Sequence, residues 1–343
     1  LSFVVDDGGQ QAVFSGGSLL YGSVGRTDLV AAEDTLGLAH DQYASVRRLA
    51  GEAASGAALF PTHGFGSFCS SGPASRAGSS TIGEQLTSNH ALTDPDEDHF
   101  VQELIANLTA FPSYYAHMGV TNAAGPGPAD LTVPESLDAA ELMRRLDGGE
   151  WVVDLRRRVA FASNHLLGSV SFEYGTSFST YLGWILPWGE QLTLVGSRED
   201  VEKAIRDLSR IGIDSPDAAL GTDPHTLAPR AALASYPRVG WDGVLAGKAP
   251  GDTVVDVRRA DEYAASRVAG ALNVPLHELL RRLDSVPAGK LWVHCTTGYR
   301  AGTAASLLQR AGRDVVHIDA KFVDAGPAGI PVDHAPVPAG TRA

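Results

Sequence analysis

The chain has 343 residues, 44% of them apolar, which is enough for two or three domains with buried cores. Its 27 Lys and Arg against 40 Asp and Glu give a formal charge of −13, which counts against nucleic acid and anionic membrane as partners. The longest apolar stretch, Tyr181 to Trp188, is broken by Gly183 and Pro187 and is far too short to span a bilayer; no signal peptide is visible. The two cysteines, Cys69 and Cys295, lie far apart, so a disulfide framework is not expected and a reducing, cytoplasmic setting fits better.

Taken in order, Leu1 to Val5 reads as a strand running into an Asp6-Asp7-Gly8-Gly9 turn, with a second strand at Gln11 to Phe14. Residue 1 is Leu, and a chain that opens in mid-hairpin is expected to have lost something before it. A helix is predicted near Asp41 to Ala54. Another is predicted at Asp94-Pro95-Asp96-Glu97-Asp98, which offers an N-cap, a proline at the first helical position and acids in the first turn. Arg26 and Asp28 are read as a local pair. His40, His90, His99 and His117 show no ligand-like spacing. Asn122 to Pro134 reads as a linker.

An internal repeat follows, offset by 102 residues. Val152-Val153-Asp154-Leu155-Arg156-Arg157 matches Val254-Val255-Asp256-Val257-Arg258-Arg259, Ala162 matches Ala264, and Gly168 matches Gly270. Leu192 to Val195 and Leu291 to His294 are matching buried strands, and Arg210-Ile211-Gly212 and Arg310-Ala311-Gly312 end matching helices. Strands alternating with helices imply a parallel sheet covered on both faces. Asp214 to about Arg238, rich in Pro and Ala, joins the copies.

In the second copy, Cys295-Thr296-Thr297-Gly298-Tyr299-Arg300 lies between a buried strand and a helix from about Ala301. Open parallel sheets place ligands at such strand ends. Loop N–H groups and the helix N-terminus can converge there on an anion, and with Arg300 they favour the thiolate, the nucleophilic form. Gly298 permits the turn. Asp256 and Arg258 are read as structural, and His294 as a packing or loop-orienting residue.

With Val255-Asp256-Val257-Arg258, Glu262-Tyr263 and Gly270 to Pro275, this loop resembles the rhodanese family over roughly the last hundred residues. The resemblance implies sulfane sulfur transfer through a persulfide on Cys295. The amides of Thr296, Thr297, Gly298, Tyr299 and Arg300 would hold the persulfide, and Arg300 would orient an anionic donor. Four residues separate Cys295 from Arg300 where related phosphatases use five, which favours sulfur over phosphate. Near Arg267 this chain lacks the histidine the family often has. The first copy offers Val195-Gly196-Ser197 where Cys295 would stand, so it is read as an inactive rhodanese domain.

Val13 to Leu20, Gly22 to Leu29, Phe60-Pro61-Thr62-His63-Gly64 with Gly66, Ser67 and Cys69, and Pro112 to Asn122 resemble the metallo-β-lactamase superfamily, its persulfide dioxygenase and glyoxalase II branch in particular. The order of segments resembles persulfide dioxygenase–rhodanese fusions. The implied fold class is α/β: a partial metallo-β-lactamase fold (αββα) followed by two rhodanese-like α/β domains with parallel sheets. The implied division is 1–122 metallo-β-lactamase-like, 123–134 linker, 135–214 inactive rhodanese-like, 215–239 linker and 240–335 active rhodanese. The family's His-x-His-x-Asp-His motif would fall before residue 1. Gly17 stands where the family has a metal-binding aspartate, so of the family's ligand set at most His63 remains; it is read as a loop-stabilising histidine rather than a ligand, and no metal site is assigned. Cys69 is read as a buried structural thiol, with a second thiol close to the former metal pocket as the alternative.

The leading expectation is a cytoplasmic sulfurtransferase acting between a small persulfide or thiosulfate donor and a thiol acceptor. It would have no nucleic-acid or membrane partner and no cofactor in this chain; iron or zinc would require the upstream motif. Self-association is compatible with this reading. The alternatives are a metal-dependent persulfide dioxygenase or thioester hydrolase, and a non-catalytic sulfur carrier or scaffold.

Overall fold

The computed structural model describes residues 1–63, 78–125, 127–228 and 232–335. Two compact units divide it: Leu1–Phe111 with Tyr115–Ala123, and Pro112–Tyr114 with Ala124–Ala343. Among the described residues no helix is long and apolar enough to cross a membrane.

The first unit contains β1 (Phe3–Asp6), β2 (Gln11–Gly16), β3 (Leu19–Leu20), β4 (Ser23–Val24), α1 (Thr35–Glu52), β5 (Ala58–Pro61), β6 (Ser80–Thr81), α2 (Ile82–Ser88), α3 (His90–Thr93), α4 (Glu97–Ala106) and α5 (Tyr115–Ala124). Its main sheet runs β1-β2-β5-β6. The opening hairpin forms where expected. Asp7 Oδ1 accepts the amides of Gly9 (3.0 Å) and Gln10 (2.8 Å), and Gly8 turns with φ +87°. α1 starts six residues earlier than the sequence suggests, because a 3-10 turn at Ala32–Asp34 leads into it. It buries Ala39, Tyr43, Val46 and Leu49 against Val13, Leu59 and Phe100. The cap of α4 also differs from expectation. Asp96 accepts the amide of His99 (3.1 Å), so Pro95 precedes the cap and Asp94 is left for other partners. On the other face of the sheet, Phe3 pairs with Phe14 and Phe14 with Phe60, and this aromatic row across three strands is exposed.

The second unit holds both copies of the repeat. The first comprises α6 (Ala139–Asp147), β7 (Trp151–Asp154), α7 (Arg158–Ser163), β8 (His165–Leu166), β9 (Val170–Ser171), α8 (Phe178–Ile185), β10 (Leu192–Gly196), α9 (Arg198–Ser209), β11 (Asp217–Leu220), α10 (Pro224–Leu227) and β12 (Leu233–Ala234). The second comprises β13 (Arg238–Val239), α11 (Trp241–Gly247), β14 (Thr253–Asp256), α12 (Ala260–Ala265), β15 (Ser266–Val268), β16 (Leu272–Asn273), β17 (Lys290–His294), α13 (Tyr299–Arg310), β18 (Asp314–Ile318) and β19 (Val332–His334), with a 3-10 stretch at Leu276–Ser285. The sheets run β11-β10-β7-β9 and β13-β18-β17-β14-β16, and every pairing within them is parallel. Residues 215–239, expected to be a linker, instead build structure. β11 is a strand of the first sheet, β12 pairs with β8, and β13 forms an edge of the second sheet.

The 102-residue offset is kept in three dimensions. Val153 pairs with Val170, and Val255 with Leu272; Gly168 and Gly270 both turn at positive φ. In each copy a buried aspartate grips the arginine two residues on, and that arginine donates to a later carbonyl: Asp154–Arg156 to Asn164 O, and Asp256–Arg258 to Ser266 O. α13 is buried along most of its length. Its Ala301, Gly302, Ala304, Ala305 and Ser306 permit close packing, and Ser306 Oγ accepts the amide of Ser171 in the first copy (2.9 Å).

Candidate functional site: the Cys295 loop

β17 delivers Cys295 to the carboxyl end of the second sheet, and α13 begins at Tyr299. The thiol is buried, and the Gly298 amide points at Sγ from 3.2 Å. The loop carbonyls are held away from the sulfur. Thr296 O accepts the Phe322 amide (2.9 Å), and Gly298 O accepts from His317 Nε2 (2.9 Å). Gly298 has φ +94°, and a Cβ there would collide with Asp319 Oδ1, so two independent constraints demand glycine. Asp319 is itself fixed by Arg158 (2.9 Å) and Arg238 (3.0 Å).

Arg300 does not reach out freely for a donor. Its guanidinium grips Glu262 of α12 with both terminal nitrogens (2.6 and 2.8 Å) and holds Thr296 Oγ1 (2.7 Å), which in turn donates to Glu262 (2.9 Å). Burial pushes the Glu262 carboxyl up, but the Arg300 guanidinium outweighs this and holds it at about 2. Burial likewise opposes the Arg300 cation, and Glu262 restores it to above its ordinary value. Thr297 is exposed at the loop's tip. The Tyr299 hydroxyl donates to Glu173 O of the first copy (2.9 Å), so its side chain serves that contact. His294 has neither ring nitrogen hydrogen-bonded. It packs between Trp241 and Phe322, and burial pushes it down to about 4.

The first copy contains no such loop. β10 ends at Gly196 and α9 starts at Arg198; the one residue between, Ser197, caps the helix through the Asp200 amide (3.1 Å). This copy nevertheless walls the site. Tyr181 of α8 lies against Tyr299, with ring centroids 5.6 Å apart, and its phenol, pushed up by burial, feels the charges of Arg300 and Cys295. Trp184 meets His277 at 5.2 Å. Arg158 bridges Glu173 and Asp319. Sequence reasoning missed Glu262 as the partner of Arg300, and missed Arg158, Glu173, Tyr181 and Asp319 altogether. One signal was present for Glu262: its equivalent 102 residues earlier is Ala160, in the copy that also lacks the thiol.

In the first unit, His63 and Gly17 come together as the resemblance implies. A Cβ on Gly17 would sit 3.1 Å from His63 Cε1. His63 Nε2 is buried without a hydrogen-bond partner, and burial lowers its pKa. A zinc or iron site takes about three protein ligands; at this position the described residues offer one imidazole facing a residue with no side chain. Arg26 pairs with Asp28 (2.7 Å) and reaches Thr109 O (2.6 Å). Cys69, Gly64, Gly66 and Ser67 lie outside the described residues.

Residues 244–324 match the rhodanese-like domain family. The chain is 37% identical over 89 residues to the HTH-type transcriptional regulator Rv0324 of Mycobacterium tuberculosis, covering 25% of this chain and 39% of that protein. It is 32% identical over 60 residues to the uncharacterized protein YqhL of Bacillus subtilis, covering 17% and 48%. The chain thus spans less than half the length of these relatives. A metallo-β-lactamase structure from Staphylococcus aureus superposes with a TM-score of 0.55 at 25% identity, covering 64% of this chain and 63% of that one. The fold is α/β with metallo-β-lactamase-like and rhodanese-like parts, and the chain matches a fusion of the two.

Proposed function

We propose that the chain is a sulfurtransferase that moves sulfane sulfur through a persulfide on Cys295. The rhodanese-like domain supports sulfur-transfer chemistry at family level. The observation that carries the residue assignment is the Cys295 loop, with a buried sulfur at a strand's carboxyl end and the Gly298 amide directed at it.

The Cys295 thiolate attacks the outer sulfur of a donor such as thiosulfate. A Sγ–S bond forms, the donor's S–S bond breaks, and sulfite leaves with the bonding pair. The Gly298 amide and the α13 N-terminus stabilise the anionic persulfide. An acceptor thiolate then attacks the sulfane sulfur, carries it away as its own persulfide and returns Cys295 to the thiolate. Arg300, already paired with Glu262, contributes a neutralised dipole and holds Thr296 in place. The family's metal position, with Gly17 opposite His63, takes no part in this cycle.

After incubation with thiosulfate, mass spectrometry should find one added sulfur on Cys295, and Cys295→Ser should neither load nor turn over while staying folded. Unchanged turnover in Cys295→Ser would overturn the proposal. Loading without turnover by any thiol acceptor would favour a sulfur carrier instead.

A further inference from the structure

We propose that His90, Asp94 and His99, at the α3–α4 junction of the first unit, bind a divalent transition-metal ion such as Zn²⁺. The proposal is independent of the sulfur chemistry at Cys295 and of the His63 position.

The sequence spacing gives the mechanism once the helices are known. His90 and Asp94 are four residues apart, as are His99 and Glu103 on α4, so each pair projects from one face of its turn. The bend between α3 and α4 turns the two faces toward each other. One ligand atom from each of His90, Asp94 and His99 lies within 4.8 Å of the others. His90 Nε2 is 3.3 Å from Asp94 Oδ2, and His99 Nδ1 is 2.6 Å from the same oxygen. Metal bonds of about 2.0–2.1 Å in tetrahedral array place ligand atoms roughly 3.3 Å apart, so small side-chain adjustments admit an ion.

Asp94, the hub, is the buried member, and it is oriented in advance. Its other carboxylate oxygen accepts the Asp96 amide (3.0 Å), while its carbonyl accepts from Tyr43 (3.0 Å) and Arg47. Such backing of a ligating carboxylate is what metal sites require. Glu103 stands on the remaining side, 3.3 Å from His90 Nε2 and 3.6 Å from His99 Nε2, placed either to ligate or to orient His99 through its second nitrogen. Two imidazoles with carboxylates suit a borderline ion such as Zn²⁺ better than Ca²⁺ or Mg²⁺, which prefer oxygen ligands. A cleft lined by Ser23, Asn89, His90, Phe100, Glu103 and Asn107 opens beside the cluster and gives access.

The test is calorimetric titration of the chelator-stripped, untagged full chain with Zn²⁺. Co²⁺ absorption in the visible range serves as a second readout of nitrogen–oxygen ligation. The expected stoichiometry is one ion per chain, with a metal-dependent rise in Tm. His90→Ala and His99→Ala should each abolish both, and Glu103→Gln should weaken binding roughly ten- to hundredfold. His63→Ala should leave binding intact. Because His90 and His99 are exposed, their variants should keep the native circular dichroism spectrum. No binding by the wild-type chain, or binding that survives both histidine variants, would overturn the site and leave the cluster a polar network of histidines and carboxylates.

Discussion

Replacing Glu262 with Gln separates two roles that the Arg300 pair combines. The side chain keeps its size and one acceptor oxygen but loses its charge, leaving the Arg300 guanidinium uncompensated beside Cys295. Holding the Glu262 carboxyl at about 2 rather than 4.5 corresponds to about 3 kcal/mol of stability as an upper bound. That contribution is full above pH 4.5 and is lost as pH falls toward 2. Glu262→Gln should therefore unfold at lower urea concentration at pH 7, and its acid limb should be flatter. Its effect on donors should run the other way. An unpaired cation favours anionic thiosulfate, so the ratio of kcat/KM for thiosulfate to that for a neutral trisulfide should rise. Arg300→Ala removes the cation and leaves the Glu262 carboxylate uncompensated beside the loop, so the same ratio should fall through like-charge repulsion of the anionic donor. The assay is steady-state transfer to a common thiol acceptor with both donors and both variants. If the ratio moves in the same direction in both variants, or in neither, the pair only holds the loop in place and Arg300 does not govern donor charge.

Gly298→Ala should cost on the order of 1–2 kcal/mol from the left-handed backbone alone and more from the collision with Asp319, abolishing sulfur loading; loading at the wild-type rate would refute the loop geometry. Burial holds His294 and His317 at about 4 against an ordinary 6.5, so the unfolded chain binds protons more readily than the folded one. Stability from these two is full above pH 6.5 and lost as pH falls through 4, and His317→Gln, which can still donate to Gly298 O, should flatten urea midpoints measured across that window. Gly17→Asp should place a carboxylate against His63 yet add no stoichiometric metal, since two ligands do not make a tight site; metal gained in Gly17→Asp and lost again on His63→Ala would contradict this. Arg158→Ala lies in the copy without a thiol but frees one side of Asp319, so it should lower sulfur transfer by roughly tenfold, and a loss of stability with no change in transfer would refute the coupling.

The alternation of strands and helices, the 102-residue offset and the strand-end cysteine were legible because each is a local pattern: short apolar runs, a glycine turn and a cap. The linker assignment of residues 215–239 failed for a physical reason. Asp217–Leu220 and Arg238–Val239 are short, poor in β-branched residues and flanked by proline, so their strand character comes from sheet neighbours already in place, not from their own propensity. Asp94 was misread as the α4 cap because the sequence there offers two aspartates astride a proline, and only the fold decides which amide is in reach. The His90–Asp94–His99 cluster was invisible for a related reason. Each four-residue spacing is unremarkable by itself, and the convergence depends on the bend between two helices.

Together the two copies separate support from chemistry more sharply than either does alone. The aspartate–arginine grip at Asp154–Arg156 and Asp256–Arg258 ties the end of the strand to the loop after the next helix in both, so it serves the sheet and is indifferent to the thiol. Glu262 and the four-residue loop from Cys295 to Gly298 occur only in the second copy, where the Gly298 amide points at Cys295 Sγ and Glu262 holds Thr296 and Arg300. The first copy keeps the sheet order and loses the loop, yet its Arg158, Glu173 and Tyr181 close over the second copy's cradle. A domain without the nucleophile that merely spaced its neighbours would not need charged and aromatic groups at that face, where burial makes unpaired charges costly. Their contacts with Asp319 and Tyr299 join the two copies around the Cys295 loop, so residues more than a hundred positions away from the cysteine help to fix it.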